Sequence, residues 1–190
     1  MGSHGPLHCI LPPEILRKLA GHEQAHVRRA ALETLALDTR FRLARAEAAA
    51  ARRGAARPVT FARIGGSPQR MIYDQDHGTS QTPGQMVRGE GQDATSDPSV
   101  NQAYDGLGAT YQYYWTRYMR DSIDGQGMPL LGCVHFGSNY DNAFWDNAGH
   151  MFFGDGDGVL LTDTTAGIDV IGHELTHGVT QHEANLEYSG

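Results

Sequence analysis

The chain has 190 residues, a net charge of −7 and 39% hydrophobic side chains, enough for one moderate domain and a smaller second one. No stretch approaches a membrane-spanning helix, and Met1 to Ile10 shows neither the basic start nor the long apolar run of an ordinary secretory signal. Two cysteines, Cys9 and Cys133, are too few for a disulfide framework.

Charge divides the chain. Residues 1–57 carry 10 Lys or Arg against 5 Asp or Glu, whereas residues 58–190 carry 5 against 17. Opposite charge favours docking of the first segment on the second, and the acidic remainder argues against nucleic acid or an anionic membrane as partner. Within the basic segment, Pro12-Pro13 opens a helix over Glu14 to Ala20, with a plain helix-start signal as the simplest reading of the proline pair. A longer Ala-, Leu- and Arg-rich helix runs from about Gln24 to Arg53, with a break predicted at Asp38-Thr39. Arg52 to Pro58 reads as an exposed linker.

The second segment alternates strands and helices. Strands are predicted at Met71–Tyr73, Leu130–Phe136 and His150–Phe153, between Gly- and Asp-rich turns. Asp97-Pro98 is a cap followed by proline, and Val100, Ala103, Tyr104, Leu107, Tyr111, Tyr114, Trp115 and Tyr118 recur at helical spacing, which makes them core. Cys133, inside a strand, is expected to be buried as a small apolar side chain. The run Gly154 to Gly158 invites calcium, but Val159 and Leu160 break the helix-loop-helix calcium pattern, so a tight turn is expected.

The segment that carries chemistry is His173-Glu174-Leu175-Thr176-His177. On a helix the histidines, at i and i+4, project from one face, so both imidazoles reach a single metal ion. Glu174 stands beside them, placed to take a proton from a water that the metal activates. Five such residues also occur in ordinary amphipathic turns. Here Ile168, Val170, Ile171 and Val179 bury the helix, and buried polar groups need the partners that a shared metal supplies.

The stretch from Ile168 to Thr180 resembles the thermolysin-like metallopeptidase family. Met71 to Asp74, Val100 to Gly106, Asn142 to Trp145 and Gly154 to Gly158 agree with that family in order and spacing, over roughly residues 70–190. The resemblance implies an α+β fold: a helical propeptide over residues 1–57, then over 58–190 the mixed sheet-plus-helix N-terminal domain of the peptidase, without its C-terminal helical domain. It implies a zinc-dependent endopeptidase acting on proteins or peptides, with His173 and His177 as metal ligands, Glu174 as general base and Tyr188 as oxyanion donor. Asn142, Ala143 and Trp145 fall where the family receives an extended substrate on an edge strand. Asp169 falls where some members bind calcium, and Leu161 where relatives often carry a bulkier aromatic wall.

Pro12, Pro13 and Leu16 match the motif of the protealysin-like subgroup, whose short propeptide covers the active site. A proline pair fixes an extended backbone and lacks amide hydrogens, which suits a segment lying in a substrate cleft. The thiolate of Cys9 is a further candidate ligand for the same zinc. The family's third ligand, a glutamate about 24 residues after the first histidine, would fall at roughly position 197. The fragment by itself is therefore expected to be inactive and to need the absent C-terminal domain. The resemblance implies secretion, whereas the missing signal peptide points to the cytoplasm. The competing class is a non-enzymatic, propeptide-bearing fragment that binds a protein partner.

Overall fold

A computed structural model describes residues 10–52 and 66–184, with side chains at 10–41 and 66–183. Nine main elements follow in order: α1 (Pro13–Leu19), α2 (Ala25–Arg52), β1 (Arg70–Asp74), β2 (Gln85–Gly89), α3 (Pro98–Tyr118), β3 (Leu130–Val134), β4 (Ala143–Trp145), β5 (His150–Phe153) and α4 (Ile168–Ala184). A short 3-10 turn, Thr164–Ala166, precedes α4. The α+β class expected from the sequence is what the chain adopts.

The five strands form one mixed sheet in the order β2-β1-β3-β5-β4. Its centre is parallel, β1 with β3 and β3 with β5, and each outer strand adds antiparallel, β2 on β1 and β4 on β5. Because successive strand residues point to opposite faces, the sheet has two distinct surfaces. Ile72, Leu130, Val134, Ala143, Trp145, Met151 and Phe153 build the inner core with α3 and α4. Cys133, Phe144 and Phe152 turn the other way and join Phe136, Tyr140 and Phe41, the last contributed by α2.

α3 starts as its sequence dictates. Asp97 is the N-cap, accepting from Ser99 N at 2.9 Å and Val100 N at 3.4 Å, and Pro98 occupies the first turn where no amide is needed. It stops at Met119, which sits in the left-handed region (φ 53°) and donates to the Trp115 carbonyl. The helix places Gly106 against Ile171: a Cβ there would come within 2.4 Å of the Ile171 side chain, so the missing side chain lets α3 and α4 approach closely.

Three sequence expectations are corrected, and one strand is additional to them. α2 runs unbroken through Asp38-Thr39, because the Thr39 hydroxyl bonds back to Leu35 O at 2.8 Å and Asp38 finds partners across the interface instead of in its own backbone. The strand predicted over 130–136 ends at Val134, since His135 takes a left-handed conformation (φ 54°). The aromatic stripe of α3 is core only to Tyr111; Tyr114 and Trp115 are partly buried and Tyr118 is 64% exposed. β2 was not foreseen: Gln85–Gly89 is short and half-exposed, without the apolar alternation of a core strand.

Candidate metallopeptidase site

α4 presents its chemistry on one side because its apolar residues claim the other. Ile171, Leu175 and Val179 recur every four residues and are buried in the inner core. His173 is exposed and His177 half-buried. Their Nε2 atoms lie 2.9 Å apart, with the rings nearly perpendicular at 88°. Glu174, between them in sequence, is 0% exposed.

The donor set fits zinc. Two imidazole nitrogens already converge, and a tetrahedral ion at about 2.0–2.1 Å from each needs them only a few tenths of an ångström further apart. Among the described residues no third His, Cys, Asp or Glu joins them in a group able to hold a metal. Tyr188 and Cys9, the proposed oxyanion donor and extra ligand, lie outside the described residues, as does most of the linker 52–58.

The edge strand is tied to this helix. Asn142 immediately precedes and Ala143 begins β4, the last strand of the sheet, with β5 as its partner. Trp145 turns its ring into the inner core at 1% exposure, so this indole is part of the packing between β4 and α4. The indole Nε1 donates to Gln181 Oε1 at 2.6 Å, and Gln181 Nε2 donates to the Asn147 carbonyl at 3.2 Å. Gln181 lies one turn beyond His177, so one side chain fixes the edge strand relative to the histidines. A Cβ at Gly178 would stand 3.0 Å from the Trp145 ring, which shows how closely helix and strand approach.

The other flagged residues separate by location. Asp169 is exposed in the first turn of α4. Leu161 is half-buried and closes the Gly154–Gly158 turn, where Gly158 N bonds Leu161 O at 2.9 Å and Gly156 (φ 71°) leaves room for that carbonyl. Asp141 is buried beneath this turn, accepting from Asp157 N and Leu161 N; burial pushes its carboxyl up to about 6, against those two bonds. Cys133 is fully buried and its thiol is pushed up to about 12 by desolvation, so it is inert packing.

The N-terminal segment lies against the same strand. Pro13 and Leu16 are buried and Pro12 is half-buried; the Pro12 carbonyl accepts from Ile15 N and Leu16 N to start α1. Just before it, Leu11 N donates to Asn142 Oδ1 at 2.9 Å and Asn142 Nδ2 donates to Leu11 O at 3.2 Å. From α2, Thr34, Asp38 and Phe41 reach Asp141, Tyr140 and Phe144. The contact is aromatic and hydrogen-bonded; among the described side chains the ion pairs of α1 and α2 lie within each helix, Arg17 with Glu14 and Arg29 with Glu33. Sequence reading missed Asp38, Tyr140 and Gln181. The available signal was spacing: Asp38 shares a helical stripe with Thr34, Leu37 and Phe41, and Gln181 shares one with His177.

A helix with paired histidines and a buried glutamate, laid beside the edge strand of a mixed sheet, has the architecture of a metallopeptidase domain. Residues 59–181 match the thermolysin metallopeptidase catalytic domain, and the chain belongs to that family. An extracellular metalloprotease of Pectobacterium carotovorum subsp. carotovorum is 38% identical over 184 residues, covering 96% of this chain and 50% of that protein. Protease PrtS of Photorhabdus sp. (strain Az29) is 47% identical over 119 residues, 63% of this chain and 32% of its own length. The solved precursor of protealysin, a metalloproteinase from Serratia proteamaculans, superposes with a TM-score of 0.77 at 40% identity, covering 96% of this chain and 49% of that one. The chain thus spans about half the length of the first and last of these relatives.

Proposed function

We propose that residues 58–190 are the N-terminal part of the catalytic unit of a zinc-dependent endopeptidase, and that residues 1–57 are its inhibitory prosegment. The observation that carries the first half is the convergence of His173 and His177 to 2.9 Å on the helix that also bears Glu174. Zinc, when bound there, supplies a Lewis acid for the scissile carbonyl and lowers the pKa of a water. Glu174 takes the proton from that water and returns it to the leaving amine. Tyr188 donates to the oxyanion. The backbone of β4 at Asn142 and Ala143 pairs with an extended peptide, with Trp145 holding the strand in place from below.

The prosegment reading is supported by Leu11, whose backbone N–H and carbonyl both bond the Asn142 side chain as a bound peptide residue would. Pro12 and Pro13 follow it and α1 packs behind through Leu16. That the solved structure covering 96% of this chain is titled a precursor of protealysin supports the same reading. Two histidines are half of the donor set of a tetrahedral zinc ion, so this reading requires a further protein ligand outside the described residues. Calcium at Asp169 and export from the cell complete the proposal, the latter supported by the extracellular relative. Casein hydrolysis by the full-length protein, lost with a zinc chelator and with Glu174→Gln, is the test; activity that survives Glu174→Gln would sink it.

A further inference from the structure

The side-chain amide of Asn142 has four hydrogen-bonding positions, two N–H donors and two lone pairs on Oδ1. All four are taken, three of them by the N-terminal segment. Leu11 N donates to Oδ1 at 2.9 Å, and Nδ2 donates both to Leu11 O at 3.2 Å and to Asp38 Oδ2 at 3.1 Å. The fourth belongs to the neighbouring Ala143 N–H, at 3.1 Å on Oδ1. Asp38 is 3% exposed, and its other oxygen accepts from the Tyr140 hydroxyl at 2.6 Å. Burying a carboxylate is costly unless such donors replace water. Phe41, one turn further along α2, stacks on Phe144 with ring centroids 5.4 Å apart and an interplanar angle of 20°.

We propose that Asp38 is the latch of the precursor: its carboxylate fixes the Asn142 amide in the orientation that clamps Leu11, and so withholds this asparagine from peptide substrates. The inference rests on the prosegment reading above. The Leu11 arm is made by backbone, so Asp38 is the arm that a side-chain change can break. Both arms lie before residue 42, on one side of any cut in the linker. Cleaving the linker therefore leaves a nicked complex that is still latent until α1 and α2 dissociate or are degraded.

The test uses two readouts. In the 190-residue chain, Asp38→Ala should raise solvent exchange of the Asn142 side-chain amide protons about 10- to 100-fold, the loss expected for a hydrogen bond to a charged group. Arg29→Ala, exposed on the same helix, should leave that exchange at the wild-type rate. Tyr140→Phe, which keeps the ring and removes one donor to Asp38, should move it in the same direction by less, and serves if Asp38→Ala does not fold. In the full-length precursor, Asp38→Ala should shorten the lag before peptide hydrolysis without changing the activity reached once the prosegment is gone. Unchanged amide exchange in both Asp38→Ala and Tyr140→Phe overturns the latch. Faster exchange with equal hydrolysis before and after prosegment removal overturns the prosegment reading instead.

Discussion

The two faces of the sheet are closed by different means. On the inner face, strands, α3 and α4 come from one stretch of chain, and their contacts are apolar side chains packed at every layer, from Ile72 through Leu107 to Leu175. On the outer face the cover is α2, which reaches the sheet through a narrow stripe: Thr34, Leu37, Asp38 and Phe41. The inner face is a core and the outer one resembles an interface, with buried polar groups set between aromatic rings. A cover of that kind can be removed without dismantling what it covers.

The largest effect expected is on chemistry and should leave both faces standing. Glu174→Gln in the full-length protein should lower peptide hydrolysis by about 10²- to 10⁴-fold, the contribution typical of a general base, while the circular dichroism spectrum is retained. Two truncations then set the faces against each other. Leu175→Ala, buried in the inner core, should lower global stability by about 2–5 kcal/mol. Phe41→Ala removes at least as much surface, yet hydrogen exchange should rise in α2 alone, with β3 and β5 still protected. Loss of protection across the sheet in that variant would mean that the outer face is core after all.

Gln181→Ala should cost about 1–3 kcal/mol, because it strands the buried Trp145 indole N–H, and red-shifted tryptophan emission should accompany it. The smallest effect is on pH, and its sign differs between faces. Glu90 is held down to about 2 by its hydrogen bonds to Arg70, whose guanidinium stacks on Tyr104 of α3. That contribution is complete above the unfolded carboxyl value and is lost as pH falls through about 2. Asp141, raised to about 6 by burial beneath α2, behaves oppositely: stability is greatest below the unfolded value near 4 and declines as pH rises through about 6. Amide exchange of α2 measured from pH 4 to 7, with and without Asp141→Asn, separates the two; a decline that persists in Asp141→Asn would assign it to another group.

Much of the inner face was legible in the sequence. The cap Asp97-Pro98, the 3.6-residue recurrence from Val100 to Tyr111 and the apolar runs of β3 and β5 all report local physics, and the histidine pair is a spacing that only a helix makes useful. What was not legible depends on contacts distant in sequence. Asp38 looks like a helix breaker until Tyr140 and Asn142 are brought to it. Tyr118 looks like core until the fold leaves it exposed, against Tyr113 and Tyr114 of its own helix. The edge strand β4 has three residues and no pattern of its own; the family resemblance located it, and Gln181, unread in the sequence, anchors it.

In β5, Met151 and Phe153 serve the inner core while Phe152 joins the outer aromatic cluster through Phe136 and Phe144. Strand side chains alternate strictly, so parity governs this four-residue element. Deleting His150, or inserting one residue between Gly149 and Met151, would exchange the audiences of all three side chains at once. Only paired changes preserve the arrangement, and the seat on which α2 rests is thereby inherited along with the ability to fold.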